Sequence, residues 1–206
     1  MAPFGLSALR SLLGRGVGNT PWQPPESSWS RRFGLGWESP YTVRYASNLD
    51  DGPDHGMPLG GFGAGCLGRS PSGAFNLWNL DGGEHWFGSI PDCQFALWEQ
   101  QGEDVRAHAL ATAPDCDDSD PSGGAPLSDW QWYPASTQGR STGTYAARYP
   151  LSWTHHEDVY RAGVLCEAFS PILPGDYQRT SYPVAVFRWQ FSNPTDQPLE
   201  LSLMLC

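Results

Sequence analysis

Apolar and polar positions alternate most sharply near the end of the chain. In Ala185-Val186-Phe187-Arg188-Trp189-Gln190-Phe191 the odd positions from 187 onward are aromatic, whereas Arg188 and Gln190 are polar. After Asn193-Pro194-Thr195-Asp196-Gln197-Pro198 the alternation resumes through Leu199-Glu200-Leu201-Ser202-Leu203-Met204-Leu205. A period of two marks a strand with one face on a core. The two runs therefore predict antiparallel sheet with Phe187, Trp189 and Phe191 turned inward, opposite Arg188 and Gln190. Further strand-like runs lie at Tyr41–Tyr45, closed by a turn over 48–53, and at Phe75–Leu80, Ile90–Trp98, Gly143–Tyr149, Leu151–His155, Val159–Phe169 and Val184–Phe191. Prolines interrupt every long helical pattern, so the predicted fold class is all-β, an antiparallel β-sandwich. Its last strand runs into Cys206 without a closing turn. That predicts a sandwich incomplete at its C-terminus, with the Leu199–Leu205 strand at a sheet edge.

Punctuation sets the organisation. Residues 1–28 read as a flexible or surface-docking segment, and Leu6, Leu9, Leu12 and Leu13 give it a short amphipathic stretch. Pro21, Pro24, Pro25 and Pro40 alternate with Trp22, Trp29 and Trp37, an extended, aromatic-anchored lead-in. Residues 29–206 are expected to form the sandwich. A stretch rich in Asp, Ser, Gly and Pro over 112–143 is predicted to be a loop-rich insertion pinned by Trp130, Trp132 and Tyr133. The leucines near the N-terminus never make a continuous apolar core preceded by positive charge, so a secretory signal is not supported. No run of about 18 apolar residues is present for a transmembrane helix. A cytoplasmic location is expected.

Charge narrows the partners. All 12 cationic side chains are arginine, and 22 acidic residues bring the net charge to −10. Such a surface repels polyanions, which argues against nucleic acid and anionic membranes as partners. Cys66, Cys93, Cys116, Cys166 and Cys206 are odd in number and widely spaced, so neither a disulfide framework nor a paired zinc site is indicated. Asp115-Cys116-Asp117-Asp118-Ser119-Asp120 lacks the glycine and glutamate that a calcium loop needs and reads as a solvated acidic loop. His155 and His156 would point to opposite faces of a strand and could not easily share a metal. No metal or cofactor site is predicted.

The densest local signal is Met57-Pro58-Leu59-Gly60-Gly61-Phe62-Gly63-Ala64-Gly65-Cys66-Leu67-Gly68-Arg69. Gly60, Gly61, Gly63, Gly65 and Gly68 suit tight turns and close backbone approach. Gly63, Gly65 and Gly68 match a dinucleotide fingerprint by spacing, but no strand precedes them and no helix follows, so a structural turn is the better reading. Downstream, Asp81, Glu84 and His85 lie between Trp78 and Trp86. Carboxylates beside an exposed indole can bind sugar hydroxyls while the ring stacks on the pyranose. The same residues also suit a polar hairpin end with its tryptophans in the core. Glu157 and Asp158 would diverge along a strand, so no pair of facing glycosidase carboxylates, about 5–5.5 Å apart for retention, can be assigned.

The glycine segment, Phe75-Asn76-Leu77-Trp78, Asp92-Cys93-Gln94-Phe95, Tyr182-Pro183-Val184-Ala185 and Asn193-Pro194-Thr195-Asp196 together resemble the amino-terminal region of glycoside hydrolase family 116, the non-lysosomal glucosylceramidase family. The resemblance spans about residues 29–206. It implies a β-sandwich that packs on an (α/α)₆ barrel in a retaining β-glucosidase, whose glutamate nucleophile and aspartate acid/base belong to the barrel. No residue of this chain corresponds to that barrel, so the expectation is a non-catalytic, supporting domain with the barrel as partner. Arg69, Trp78, Asp81, Glu84, His85 and Trp86 are then candidate interdomain or sugar-contacting residues. An autonomous carbohydrate-binding module using Trp78, Trp86, Trp130 or Trp132 is the competing expectation, and a fragment that seeks a separately encoded barrel is a third.

Overall fold

The computed structural model describes residues 22–33, 56–81, 83–90, 92–112 and 130–205; among them the chain is made of strands and one helical turn, α1 (Tyr177–Thr180). One layer is a five-stranded antiparallel sheet in the order β1 (Trp29–Arg32), β11 (Gly143–Arg148), β12 (Leu151–His156), β13 (Gly163–Phe169) and β14 (Val186–Ser192). The opposing layer holds two four-stranded sheets. The first runs β15 (Glu200–Leu205), β6 (Phe95–Gln101), β7 (Asp104–Thr112), β8 (Gln131–Tyr133); the second runs β2 (Met57–Leu59), β3 (Cys66–Arg69), β4 (Phe75–Asn79), β5 (Trp86–Phe87). A small ribbon pairs β9 (Ser136–Thr137) with β10 (Arg140–Ser141). All pairings are antiparallel except that of β7 with β8.

Aromatic rings fasten the layers. Phe95 meets Phe187 and Trp189 with ring centroids 5.0 Å apart in each case, Phe75 meets Phe187 at 5.6 Å, and Tyr133 meets His156 at 4.9 Å. These are mostly edge-on contacts, the arrangement favoured by the ring quadrupole. Phe187, Trp189 and Phe191 thus face the core as their parity predicts.

Several strand predictions need correction. β14 and β15 do not share a sheet: β14 pairs with β13, whereas β15 pairs with β6 in the opposite layer. Residues 193–198 therefore cross from layer to layer, which lets both apolar faces reach one core. The outer face of β14 is not simply solvated either. Arg188 Nη2 lies 2.8 Å from Glu167 Oε2, and Trp153 Nε1 donates to Glu167 Oε1 at 3.1 Å, with Trp153 and Glu167 both buried. The strand expected over 90–98 starts at Phe95 and continues to Gln101, since Gln94 turns inward to accept from Phe75 N and donate to Ile90 O. β13 begins at Gly163, not Val159, and β7 carries no alternation sharp enough to announce it. Within 112–143 the chain forms β8, β9 and β10 rather than loop alone. The expected elements at 6–13, 41–45 and 48–53 and the acidic loop at 115–120 lie outside the described residues. Among the described strands β15 is at a sheet edge.

The segment 159–162 leaves the sheet because a buried carboxylate holds it. Glu99, 0% exposed, shares the inward parity of Phe95 and Leu97. Its Oε1 accepts from Arg161 N at 2.9 Å and its Oε2 from Ala162 N at 2.8 Å, while Tyr160 Oη donates to Leu97 O at 2.9 Å. The carboxylate substitutes for a strand partner and satisfies two amides that burial would otherwise leave orphaned. Glu99→Ala is expected to lower the unfolding free energy by about 2–4 kcal/mol, and Glu99→Gln by less because its amide oxygen still accepts. Urea denaturation of the three proteins checks the ranking.

His156 is buried among Tyr133, Phe33 and Trp189. Burial first, then the positive Arg69 and neighbouring His155, hold its pKa well below the ordinary histidine value. The folded protein keeps His156 neutral while the unfolded chain binds a proton near pH ~6.5, so its contribution is fully present above that pH and is lost as pH falls through the folded pKa. Burial shifts His108 and His155 the same way. Unfolding free energy should therefore fall as pH drops below about 6.5, with a shallower slope in His156→Phe. Denaturation midpoints across that range would show it.

Candidate functional site

The glycine-rich segment is the turn between β2 and β3. Gly60, Gly61, Gly63 and Gly65 lie in this turn and Gly68 lies in β3, where the pairing with β4 shifts register. Close approach, more than the turn itself, demands the glycine at 61: a Cβ there would sit 2.3 Å from Tyr182 O and 2.7 Å from Ser181 C. Phe62 N donates to Thr180 O at 2.8 Å and Gly60 N to Ser170 Oγ at 2.7 Å, so the turn is wedged against α1 and the loop before it. Gly65 leads directly into β3. A strand rather than a helix follows the glycine segment, so it presents no helix N-terminus of its own to a pyrophosphate.

Arg69, at the far end of β3, is not on the surface. It is 3% exposed, and its guanidinium spreads three bonds: Nε to Gly73 O at 2.8 Å, Nη1 to Thr154 Oγ1 at 3.1 Å and Nη2 to Leu110 O at 3.0 Å. The rings of Trp189 and Phe95 lie 5.5 and 5.7 Å from its Cζ. Burial lowers its pKa, opposed by Cys166 and Tyr145. A sugar or a neighbouring domain cannot reach this side chain. Its geometry is that of a buried clamp.

The β4–β5 hairpin places the remaining candidates. Trp78 and Trp86 are paired across the strands, with centroids 6.3 Å apart and planes 34° apart. Trp78 is half-buried, packs on Phe75 and donates from Nε1 to Gly88 O at 2.9 Å. Trp86 is 51% exposed. Asp81, Glu84 and His85 are exposed in the turn; Asp81 Oδ1 accepts from Gly83 N at 2.9 Å, and His85 Nε2 lies 3.1 Å from Asn79 Nδ2. Trp132 lies in β8, at the end of the other four-stranded sheet, and Trp130 just precedes that strand. The hairpin thus divides its tryptophans between interior and surface.

Elsewhere several ionisable side chains serve the scaffold. His155 and His156 do face opposite sides of β12: His155 packs against Trp22 at 5.1 Å and its Nδ1 lies 3.0 Å from Glu157 Oε1, whose other oxygen is 2.7 Å from Arg32 Nη1. Arg161 pairs with Asp104, and Asp176 caps α1 by accepting from Arg179 N at 3.0 Å. Cys166 is buried, which pushes its thiol up to about 11, and burial also raises Cys66.

The family model for the N-terminal domain of glycosyl-hydrolase family 116, described as beta-glucosidase 2, matches residues 56–206. The chain belongs to this family. The match begins just ahead of β2 and takes in every described strand except β1.

Sequence reasoning missed the structural partners of this family-116 domain. Thr154, Leu110 and Gly73 carry no motif, and only their convergence on Arg69 gives them a role. Glu99 could have been found, because its parity with Phe95 and Leu97 puts a carboxylate on the buried face. Arg69→Ala should destabilise the fold by about 3 kcal/mol or more, since it removes packed volume and leaves buried acceptors unpaired. Arg69→Lys should recover little of this, as an ammonium cannot span three divergent acceptors with a planar fork. Thermal and urea unfolding compare the two.

Proposed function

We propose that this chain is the non-catalytic N-terminal β-domain of a retaining β-glucosidase or glucosylceramidase-like glycoside hydrolase, supporting an (α/α)₆ catalytic barrel. The family match over 56–206 carries the reading. Physical support comes from several of the described carboxylates: Glu99 and Glu167 are buried in bonds to backbone and Trp153, and Glu157, Asp104 and Asp176 are tied to arginines. Retaining hydrolysis needs two carboxyl groups facing one glycosidic bond, about 5–5.5 Å apart, and both free to act on it.

The surface beside the glycine turn suits the supporting role. Phe62 is 66% exposed and Leu80 72% exposed, and both stand on backbone that the turn packs tightly: Gly61 abuts Tyr182 O, and Gly65 abuts Asn79 O and the Leu80 carbonyl carbon. A patch of this kind, set on a backbone too tightly packed to fold inward, is suited to burial against a neighbouring domain. The barrel is the occupant we assign to it.

Purified chain should not hydrolyse an aryl β-glucoside above background. In a polypeptide joining this domain to a family-116 barrel, the amides of residues 61–64 and 181–182 should gain hydrogen-exchange protection, and Phe62→Asp should lower that gain without unfolding the sandwich. Turnover by the chain alone that disappears on substituting one of its carboxylates would refute the non-catalytic reading, and unchanged exchange at the turn would refute the docking surface.

A further inference from the structure

We infer that Trp86 is a saccharide-stacking platform, a binding site distinct from the supporting role above. The indole is both exposed and seated. A Cβ at Gly88 would lie 2.6 Å from Trp86 Cζ2, 3.0 Å from Cε2 and 3.1 Å from Cη2, so the six-membered part of the ring rests directly on the Gly88 backbone. Gly88 is itself pinned to β4 from both sides: its N–H donates to Asn76 O at 3.2 Å, and its carbonyl accepts from Trp78 Nε1 at 2.9 Å. Half of the side chain nevertheless remains open, at 51% exposure. The ring needs little ordering before it can stack, which removes an entropic cost that a loose surface tryptophan must meet on binding.

The surroundings select the ligand. Asp81 and Glu84 are exposed in the turn that leads into β5, and the turn is shaped by Asp81 Oδ1 accepting from Gly83 N at 2.9 Å. Carboxylate oxygens accept from hydroxyls, and a chain carrying −10 net charge without lysine discourages anionic ligands. An aromatic cage for a quaternary ammonium needs several walls around the cation. Here Gly88 lies against the indole on one side and Trp78, its plane 34° from that of Trp86, packs on the core, which does not build such a cage. The chemistry that fits is a neutral pyranose with a flat C–H face, and a β-glucopyranoside, whose substituents are all equatorial, meets that requirement.

The test follows the backbone amides of residues 83–88, together with the Trp86 indole N–H in the unsubstituted protein, by ¹H–¹⁵N NMR in the full chain during titration with methyl β-D-glucopyranoside and with cellobiose. Saturable shifts at these amides are expected with either sugar and should vanish in Trp86→Ala. Trp86→Tyr should retain binding, and Gly88→Ala, which leaves the indole in place chemically but unseats it, should weaken binding about tenfold. The Trp189 indole signal reports whether each variant keeps its core; should Trp86→Ala lose it, Gly88→Ala and Trp86→Tyr decide. Absence of saturable shifts, shifts that survive in Trp86→Ala, equal affinity in Gly88→Ala with an intact core, or a response to choline without one to sugar would overturn the proposal. Hydrolysis plays no part in the readout, so its outcome is independent of the supporting role.

Discussion

A single buried cation ties the sandwich together. Arg69 sends one bond to its own hairpin turn at Gly73, one to Thr154 in the five-stranded sheet and one to Leu110 O in β7, and the rings of Phe95 and Trp189 flank its guanidinium. Every sheet with four or more strands therefore contributes to its surroundings. Taking a guanidinium out of water is costly. Oriented oxygens and two aromatic faces offset that cost here, and because they come from different layers they do so only when the layers are in their correct relation. A layer shifted by one strand residue would break the arrangement.

That clamp also sets the backbone around it. Leu110 O is approached by Arg69 Nη2 at 3.0 Å and would lie 2.3 Å from a Cβ at position 73, where φ is +94°. Glycine at 73 thus lets the β3–β4 turn press onto β7 at the carbonyl that the arginine needs. Glu99 applies a related solution on the same layer, with a carboxylate ordering the amides of Arg161 and Ala162. The interior is consequently specified by a few satisfied polar groups as well as by its rings, and polar satisfaction is more directional than apolar packing.

The fold class was legible from residues such as Phe187, Trp189 and Phe191 because one-sided burial writes a period of two directly into the chain. Sheet membership was not. β14 and β15 look like neighbours in a hairpin, yet an apolar face on each strand satisfies hydrophobic burial equally well from opposite layers, and parity cannot distinguish the two. β7 was invisible because its small alanines blunt the contrast between faces, although the Gly102 turn with φ of +62° makes its pairing with β6 straightforward. Of the candidate residues, the glycines were legible as geometry. Arg69 was misplaced as a surface residue, because a charged side chain is seldom buried and nothing local announces acceptors that lie 41 and 85 residues away in sequence.

The same hairpin carries both the anchor and the exposed apolar surfaces, at opposite ends. In the β3–β4 pair, Arg69 sits beside Phe75 at the buried end, whereas Cys66 lies opposite Asn79 at the other, where the glycine turn and the turn into β5 emerge. The two ends are separated by about 10 Å at the usual rise per strand residue. Phe62, Leu80 and Trp86 are therefore displayed by a sheet whose far end is fastened to two others, and the glycines that crowd the exposed end against Tyr182 and Asn79 leave its turns little freedom to fold their apolar side chains away. Exposure here is a consequence of how the interior is held.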